Sequence, residues 1–113
     1  MARVRRYCGS YILEIDGGRV KEYCGPTLYE LDQNRIRKYC GPNIYEIDGS
    51  RIKEYCGKYL LEFNGNTVRQ YCGPNICQIE GNRIRRYCGS YEYEIEGFLT
   101  NREMMMLIAL LYA

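Results

Sequence analysis

Apolar and polar residues alternate along most of this chain, in short runs that glycine interrupts. Residues 43–48 read Asn-Ile-Tyr-Glu-Ile-Asp and residues 51–55 read Arg-Ile-Lys-Glu-Tyr, with Gly49-Ser50 between them. Period-two alternation rich in Ile, Val and Tyr predicts strands. The pattern recurs: Tyr-Cys-Gly stands at 7–9, 23–25, 39–41, 55–57, 71–73 and 87–89, always sixteen residues apart. A fixed short period marks a repeat architecture, and here each unit holds two strands and two turns. Gly17-Gly18, Gly49-Ser50, Gly65-Asn66 and Gly81-Asn82 suit two-residue type II′ hairpin loops, whose first position needs a positive φ. Gln33-Asn34 lacks that glycine and predicts a more strained or a different turn.

The pairing tests itself. With Gly49-Ser50 as the loop, Asp48 lies opposite Arg51, Ile47 opposite Ile52, Glu46 opposite Lys53 and Ile44 opposite Tyr55. Opposite charges and aliphatics match across the strands, which favours this register. The ends complement each other in the same way. Residues 91–97 form a first strand without a second, and residues 3–7 a second strand without a first. Joined, they pair Glu96 with Arg3, Ile95 with Val4 and Glu94 with Arg5. Residues 2–97 therefore predict six hairpins closed on themselves, leaving no bare sheet edge.

Twelve tilted strands in a ring give a backbone radius of roughly 11 Å. Inward side chains leave a lumen of roughly 5–6 Å radius, the size of one α-helix. Residues 100–113 supply that helix. Thr100-Asn101-Arg102-Glu103 is a capping box, Leu99 and Met104 can form a hydrophobic staple, and residues 104–112 are apolar all round. The helix is expected to plug the lumen, with Leu107 and Leu110 among its buried residues; docking on a partner and touching a membrane are the rival readings. The belt facing it is Val4, Ile15, Val20, Leu31, Ile36, Ile47, Ile52, Phe63, Val68, Ile79, Ile84 and Ile95. The expected fold is therefore all-β with one C-terminal helix: a 12-stranded antiparallel barrel or flower, as a single domain over 1–113. Stagger between strands calls for a bulge, expected at the Cys-Gly end.

Composition narrows the function. Sixteen Lys and Arg against fourteen Asp and Glu leave a net charge of +2, without the basic stripe that nucleic-acid binding requires. Histidine is absent, which removes the commonest general base and metal ligand. No nucleophile-base pair, phosphate-cradling loop or metal motif stands out, so no enzyme activity, cofactor or metal is expected. The longest apolar run, 104–113, is too short to span a bilayer. Without a visible export signal, the chain is expected to be cytoplasmic with reduced thiols, and a monomer or weak homo-oligomer.

Cys8, Cys24, Cys40, Cys56, Cys72 and Cys88 recur two strands apart, too far for neighbouring disulfides. They are expected to pack as small apolar side chains beside the turns; a thiolate ring for a soft metal is the alternative. Cys77 replaces a Tyr or Leu of other repeats and is expected in the core. Tyr29, Tyr45 and Tyr93 fall on the belt face near Lys38 and Arg86. Those five residues are the candidate ligand site, an aromatic-rimmed cup at one barrel mouth.

The tandem hairpins with Tyr-x-Gly and Asp-Gly-Ser/Asn-Arg-Ile motifs over 2–97 resemble the uncharacterised bacterial β-flower repeat proteins, which have four or five units where this chain has six. The resemblance implies a fold of radiating hairpins and no known activity. Twelve strands around an apolar helix are similar, in architecture alone, to tubby and scramblase barrels. The functional expectation is a non-catalytic structural or binding module. The alternative is a binder of a small apolar or lipid-like ligand with the helix as a displaceable plug.

Overall fold

The computed structural model describes residues 2–113; Met1, the first residue of the expected 1–113 domain, lies outside the described residues. The strands are β1 (Ala2–Arg6), β2 (Tyr11–Asp16), β3 (Arg19–Glu22), β4 (Thr27–Asp32), β5 (Arg35–Lys38), β6 (Asn43–Asp48), β7 (Arg51–Glu54), β8 (Tyr59–Asn64), β9 (Thr67–Gln70), β10 (Asn75–Glu80), β11 (Arg83–Arg86) and β12 (Tyr91–Gly97). They form one closed antiparallel barrel in which each strand pairs with its sequence neighbours and β1 pairs with β12. Closure uses the expected partners: Arg3 faces Glu96, Val4 faces Ile95 and Arg5 faces Glu94. Every described strand is thus paired on both sides, which removes the exposed edge that invites aggregation.

Within hairpins the charge and aliphatic matching fixes the register, as at Asp48–Arg51, Ile47–Ile52 and Glu46–Lys53. Between hairpins the register shifts once, for example between Val20 and Lys21 on β3. Val20 faces Tyr29 and Lys21 faces Thr27, so Leu28 is the extra residue. The bulge is at the Cys-Gly end, as expected, but in the strand that follows the loop and not at the Cys-Gly pair. Its carbonyl is used: Leu28 O accepts from Tyr39 N at 3.0 Å, and Ile44 O from Tyr55 N at 3.1 Å. Much of the stagger has another source. Val4 pairs with Leu13 and Leu13 with Glu22, two residues beyond the equivalent Val20. The five six-residue strands from β2 to β10 alternate with five four-residue strands, and this inequality steps the ring by two residues per hairpin. One residue of shear per strand corresponds to a tilt of about 36°.

The tight turns divide into two kinds. Gly49, Gly65 and Gly81 have φ of 63°, 63° and 61°, while Ser50, Asn66 and Asn82 are not positive, as a type II′ loop requires. Gly17 and Gly18 are both positive, at 59° and 79°, which is the type I′ pattern and corrects the expected II′ there. Gln33 takes a φ of 57° without glycine's freedom, the strain its sequence predicted.

Helix α1 (Asn101–Tyr112) begins with both halves of the capping box, Thr100 accepting from Glu103 N and Glu103 accepting from Thr100 N. Met106, Leu107, Ile108 and Ala109 have no exposed surface. Four consecutive buried residues cover every side of a helix turn, so the helix is enclosed by the ring. It shares one apolar core with Val4, Ile15, Val20, Ile36, Ile47, Ile52, Val68, Ile84 and Ile95. Leu110 is only half-buried, as are the belt residues Leu31, Phe63 and Ile79. The core gains Ala2, Leu61 and Cys77, which were not in the expected belt.

Candidate functional site: the mouth at the Tyr-Cys-Gly end

The helix enters between the Gly-Asn turns and ends at the opposite mouth. At the first, Glu103 accepts a hydrogen bond from Gly18 N at 3.1 Å. At the second, the Tyr112 hydroxyl donates to Glu92 Oε1 at 2.6 Å and its ring meets Tyr93 edge-on at 6.3 Å. The six bulge positions are Ile12, Leu28, Ile44, Leu60, Ile76 and Glu92. The last is the one break in an aliphatic series, and the helix tip is tied to it. Arg86 donates to the other Glu92 oxygen at 2.8 Å. Burial first, then the Glu92 hydrogen bond, raises the Tyr112 pKa. Burial pushes the nearby Cys77 thiol up to about 12, with the Glu92 charge adding to it. Cys77 therefore stays protonated and unreactive at neutral pH.

The sequence-predicted ligand residues are placed as their alternation required. Tyr29 pairs across from Lys38, and Cys77 across from Arg86. Tyr29, Tyr45 and Tyr93 are half-buried against the core. Tyr112 takes the floor of the expected cup, and the groove beside it, about 360 Å³, is lined by Lys58, Leu60, Leu61, Tyr71 and Ile76 among others. None of the five predicted residues lines it. The signal that could have found the true floor was Glu92, visible once the six units are stacked.

The rim of this mouth is built by a turn with an unusual division of labour. Gly9 N donates to Arg6 O at 2.8 Å, closing a four-residue turn with Cys8 at its third position. All six repeat cysteines have φ of 55–56°, and the glycines that follow do not. The glycine is needed for space: a Cβ at Gly57 would lie 2.8 Å from Glu54 Cβ, and one at Gly25 2.9 Å from Glu22 Cβ. Cysteine carries the left-handed φ, at a cost of about 1–2 kcal/mol per site. The expected packing role does not match the structure: all six repeat thiols are exposed and free, and only Cys77 is buried. Among the described residues no three His, Cys, Asp or Glu side chains are grouped so as to hold a metal ion.

Outside the rim, guanidinium groups lie over tyrosine rings. Arg51 lies against both Tyr59 and Tyr71 at 5.5 and 5.3 Å, and Arg83 against both Tyr91 and Tyr7 at 5.5 and 5.6 Å, the two rings of each pair packing on each other at 5.0 and 5.1 Å. The same arginines clamp the outer glutamates. Glu30 accepts from Arg37 and Arg19, Glu62 from Arg69 and Arg51, and Glu94 from Arg5 and Arg83. The hydrogen bonds from Arg37, Arg69 and Arg5 respectively are the main reason these three carboxyls sit below the usual glutamate range. In the fifth unit both partners change together: Thr67 replaces the arginine and Gln78 the glutamate, and the two pair. No charge is left stranded by that double change.

No helix among the described residues is long and apolar enough to cross a membrane. No family model matches the chain, and neither a curated protein nor a solved structure matches it. The β-flower resemblance thus stands on the repeat motifs alone, and what is established is a 12-stranded closed barrel with one C-terminal helix.

Proposed function

We propose that this protein is a non-catalytic binding module that meets its partner through the Tyr-Cys-Gly mouth. The observation that carries this is the filled lumen: Met106, Leu107, Ile108 and Ala109 occupy, fully buried, the space that a barrel binder gives its ligand. The non-catalytic reading draws support from Glu30, Glu62 and Glu94, which are engaged on both sides by arginines, and from the suppressed Cys77 thiol. Native mass spectrometry of the purified full chain tests it. The expected mass is that of the polypeptide; a co-purifying small molecule would overturn the filled-lumen reading.

The second reading, an apolar or lipid-like ligand that displaces the helix, is favoured by one feature. A cleft of about 470 Å³ beside the first helical turn is lined by Phe63, Ile79, Leu99, Met104 and Met105. Phe98, 79% exposed, lies at the same mouth. Titration with a fluorescent fatty acid separates the two: saturable binding accompanied by exposure of the helix supports the second reading.

A further inference from the structure

Cysteine at the left-handed turn position is not what the fold asks for. That position favours Gly, Asn or Asp, and an exposed thiol gains no burial. Yet all six units keep cysteine there, while the residue before each Tyr varies through Arg, Glu, Lys and Gln, and the residue after each Gly through Ser, Pro and Lys. What the six sites share is an exposed thiol beside an exposed tyrosine, the rings being 37–44% accessible. All six lie at the same end of the barrel. All six thiols are free, and none joins a metal-binding group among the described residues. A reaction partner for these exposed thiols therefore comes from outside the chain.

The charges on this rim say which partner fits. In ring order the exposed residues just before the tyrosines are Arg6, Glu22, Lys38, Glu54, Gln70 and Arg86. The signs run plus, minus, plus, minus, neutral, plus, the last of them, Arg86, being already hydrogen-bonded to Glu92 at 2.8 Å; Lys58 is set on the far side of its loop. A second copy turned face to face about a twofold axis reverses the ring order, as an isologous interface requires. One such setting places Arg6 on Glu54, Glu22 on Lys38 and Gln70 on Arg86, each twice, with no like charges opposed. The other two settings that oppose alternate positions set Lys38 on Arg86 or Arg6 on Arg86. The favourable setting also brings Cys8 over Cys56, Cys24 over Cys40 and Cys72 over Cys88 of the second copy.

We infer that the Tyr-Cys-Gly rim is a self-complementary docking face on which two copies of this chain meet and become joined by disulfides. This rests on reading that mouth as the working face. The oxidant is a low-molecular-weight disulfide. A rim thiolate attacks it, forming a mixed disulfide and expelling one small thiolate. The facing thiolate of the second copy then attacks the protein sulfur, forming the inter-chain bond and expelling the second small thiolate.

The full chain, incubated with oxidised glutathione, is analysed by non-reducing light scattering and by disulfide mapping. The expected result is a discrete dimer with Cys8–Cys56, Cys24–Cys40 and Cys72–Cys88 links. A monomer carrying only mixed disulfides, a ladder of polymers, or unrelated linkages would overturn the inference. Glu22→Lys, which opposes like charges at two places per dimer, slows cross-linking roughly tenfold. Adding Lys38→Glu to it restores the rate. Equal rates for all three proteins would also overturn the inference. Both variants change only exposed side chains, and circular dichroism checks that each is folded. A ligand found by native mass spectrometry would instead defeat the filled-lumen reading, so the two failures are distinct.

Discussion

The two ends of this barrel turn the chain by opposite uses of glycine. At the Gly-Asn end, glycine sits where φ is positive and its added Cβ would meet nothing at Gly49, Gly65 or Gly81. The requirement there is conformational. At the Tyr-Cys-Gly end, glycine sits where φ is not positive and a Cβ would meet the residue three places back at 2.8–3.1 Å. There the requirement is steric, and cysteine bears the strained backbone. One end is built as folding alone would build it. The other carries six residues that folding does not favour, which is where a functional demand shows.

The largest effect tests what lies between those ends. Deleting residues 101–113 should abolish the cooperative thermal transition, because the apolar belt would line a water-filled hole. A milder version, Leu107→Ala, should cost about 3 kcal/mol in denaturant titration. A truncated chain that melts unchanged as a monomer would remove the helix from the core.

The contrast between glycines comes next. Gly57→Ala should destabilise by about 1–3 kcal/mol, since the new methyl must displace the Glu54 stem. Gly49→Ala should cost about 1–2 kcal/mol through φ alone. Their difference can be sharpened with D-alanine at both sites, introduced by chemical synthesis. D-Ala should restore stability at 49 and fail to do so at 57. Conversely, Cys56→Asn and Gln33→Gly should each stabilise by about 0.5–1 kcal/mol, by relieving a left-handed residue. Thermal melts read both, and a loss of stability in Cys56→Asn would make cysteine a structural requirement after all.

Hairpin register was legible because each unit offers one match of charges and aliphatics, and shifting the loop by one residue destroys it. Closure was legible because residues 3–7 and 91–96 are each half of a known hairpin. The bulge position was not, since Ile12 and Leu13 are both aliphatic and either can be the extra residue. Nor was the closed cup. Which way a helix turns inside a near-sixfold ring depends on where the ring is unequal, and the inequality that ties the helix tip is Glu92. Thiol exposure was misjudged because cysteine is usually buried, and sequence does not reveal that the following glycine is held by crowding.

The smallest effect concerns pH. In the folded chain Glu30, Glu62 and Glu94 are held below the ordinary glutamate range, first by hydrogen bonds from Arg37, Arg69 and Arg5. Their contribution to stability is whole above the unfolded-state pKa of about 4.3 and is lost as pH falls through the lower folded values. Melting temperature should therefore drop on acidification below that point. Glu62→Gln should make the drop shallower; an unchanged acid limb would mean that the outer clamps contribute nothing.

The most direct test of the whole arrangement is a methyl-resolved nuclear Overhauser experiment on the intact protein. A ring closed around its own tail predicts cross-peaks from the methyls of Leu107 and Ile108 to aliphatic residues on opposite walls, such as Val20 of β3 and Val68 of β9, together with a Val4–Ile95 peak across the closure. Leu107 and Ile108 signals coupled to one wall only, or to none, with Val4 and Ile95 apart, would contradict it.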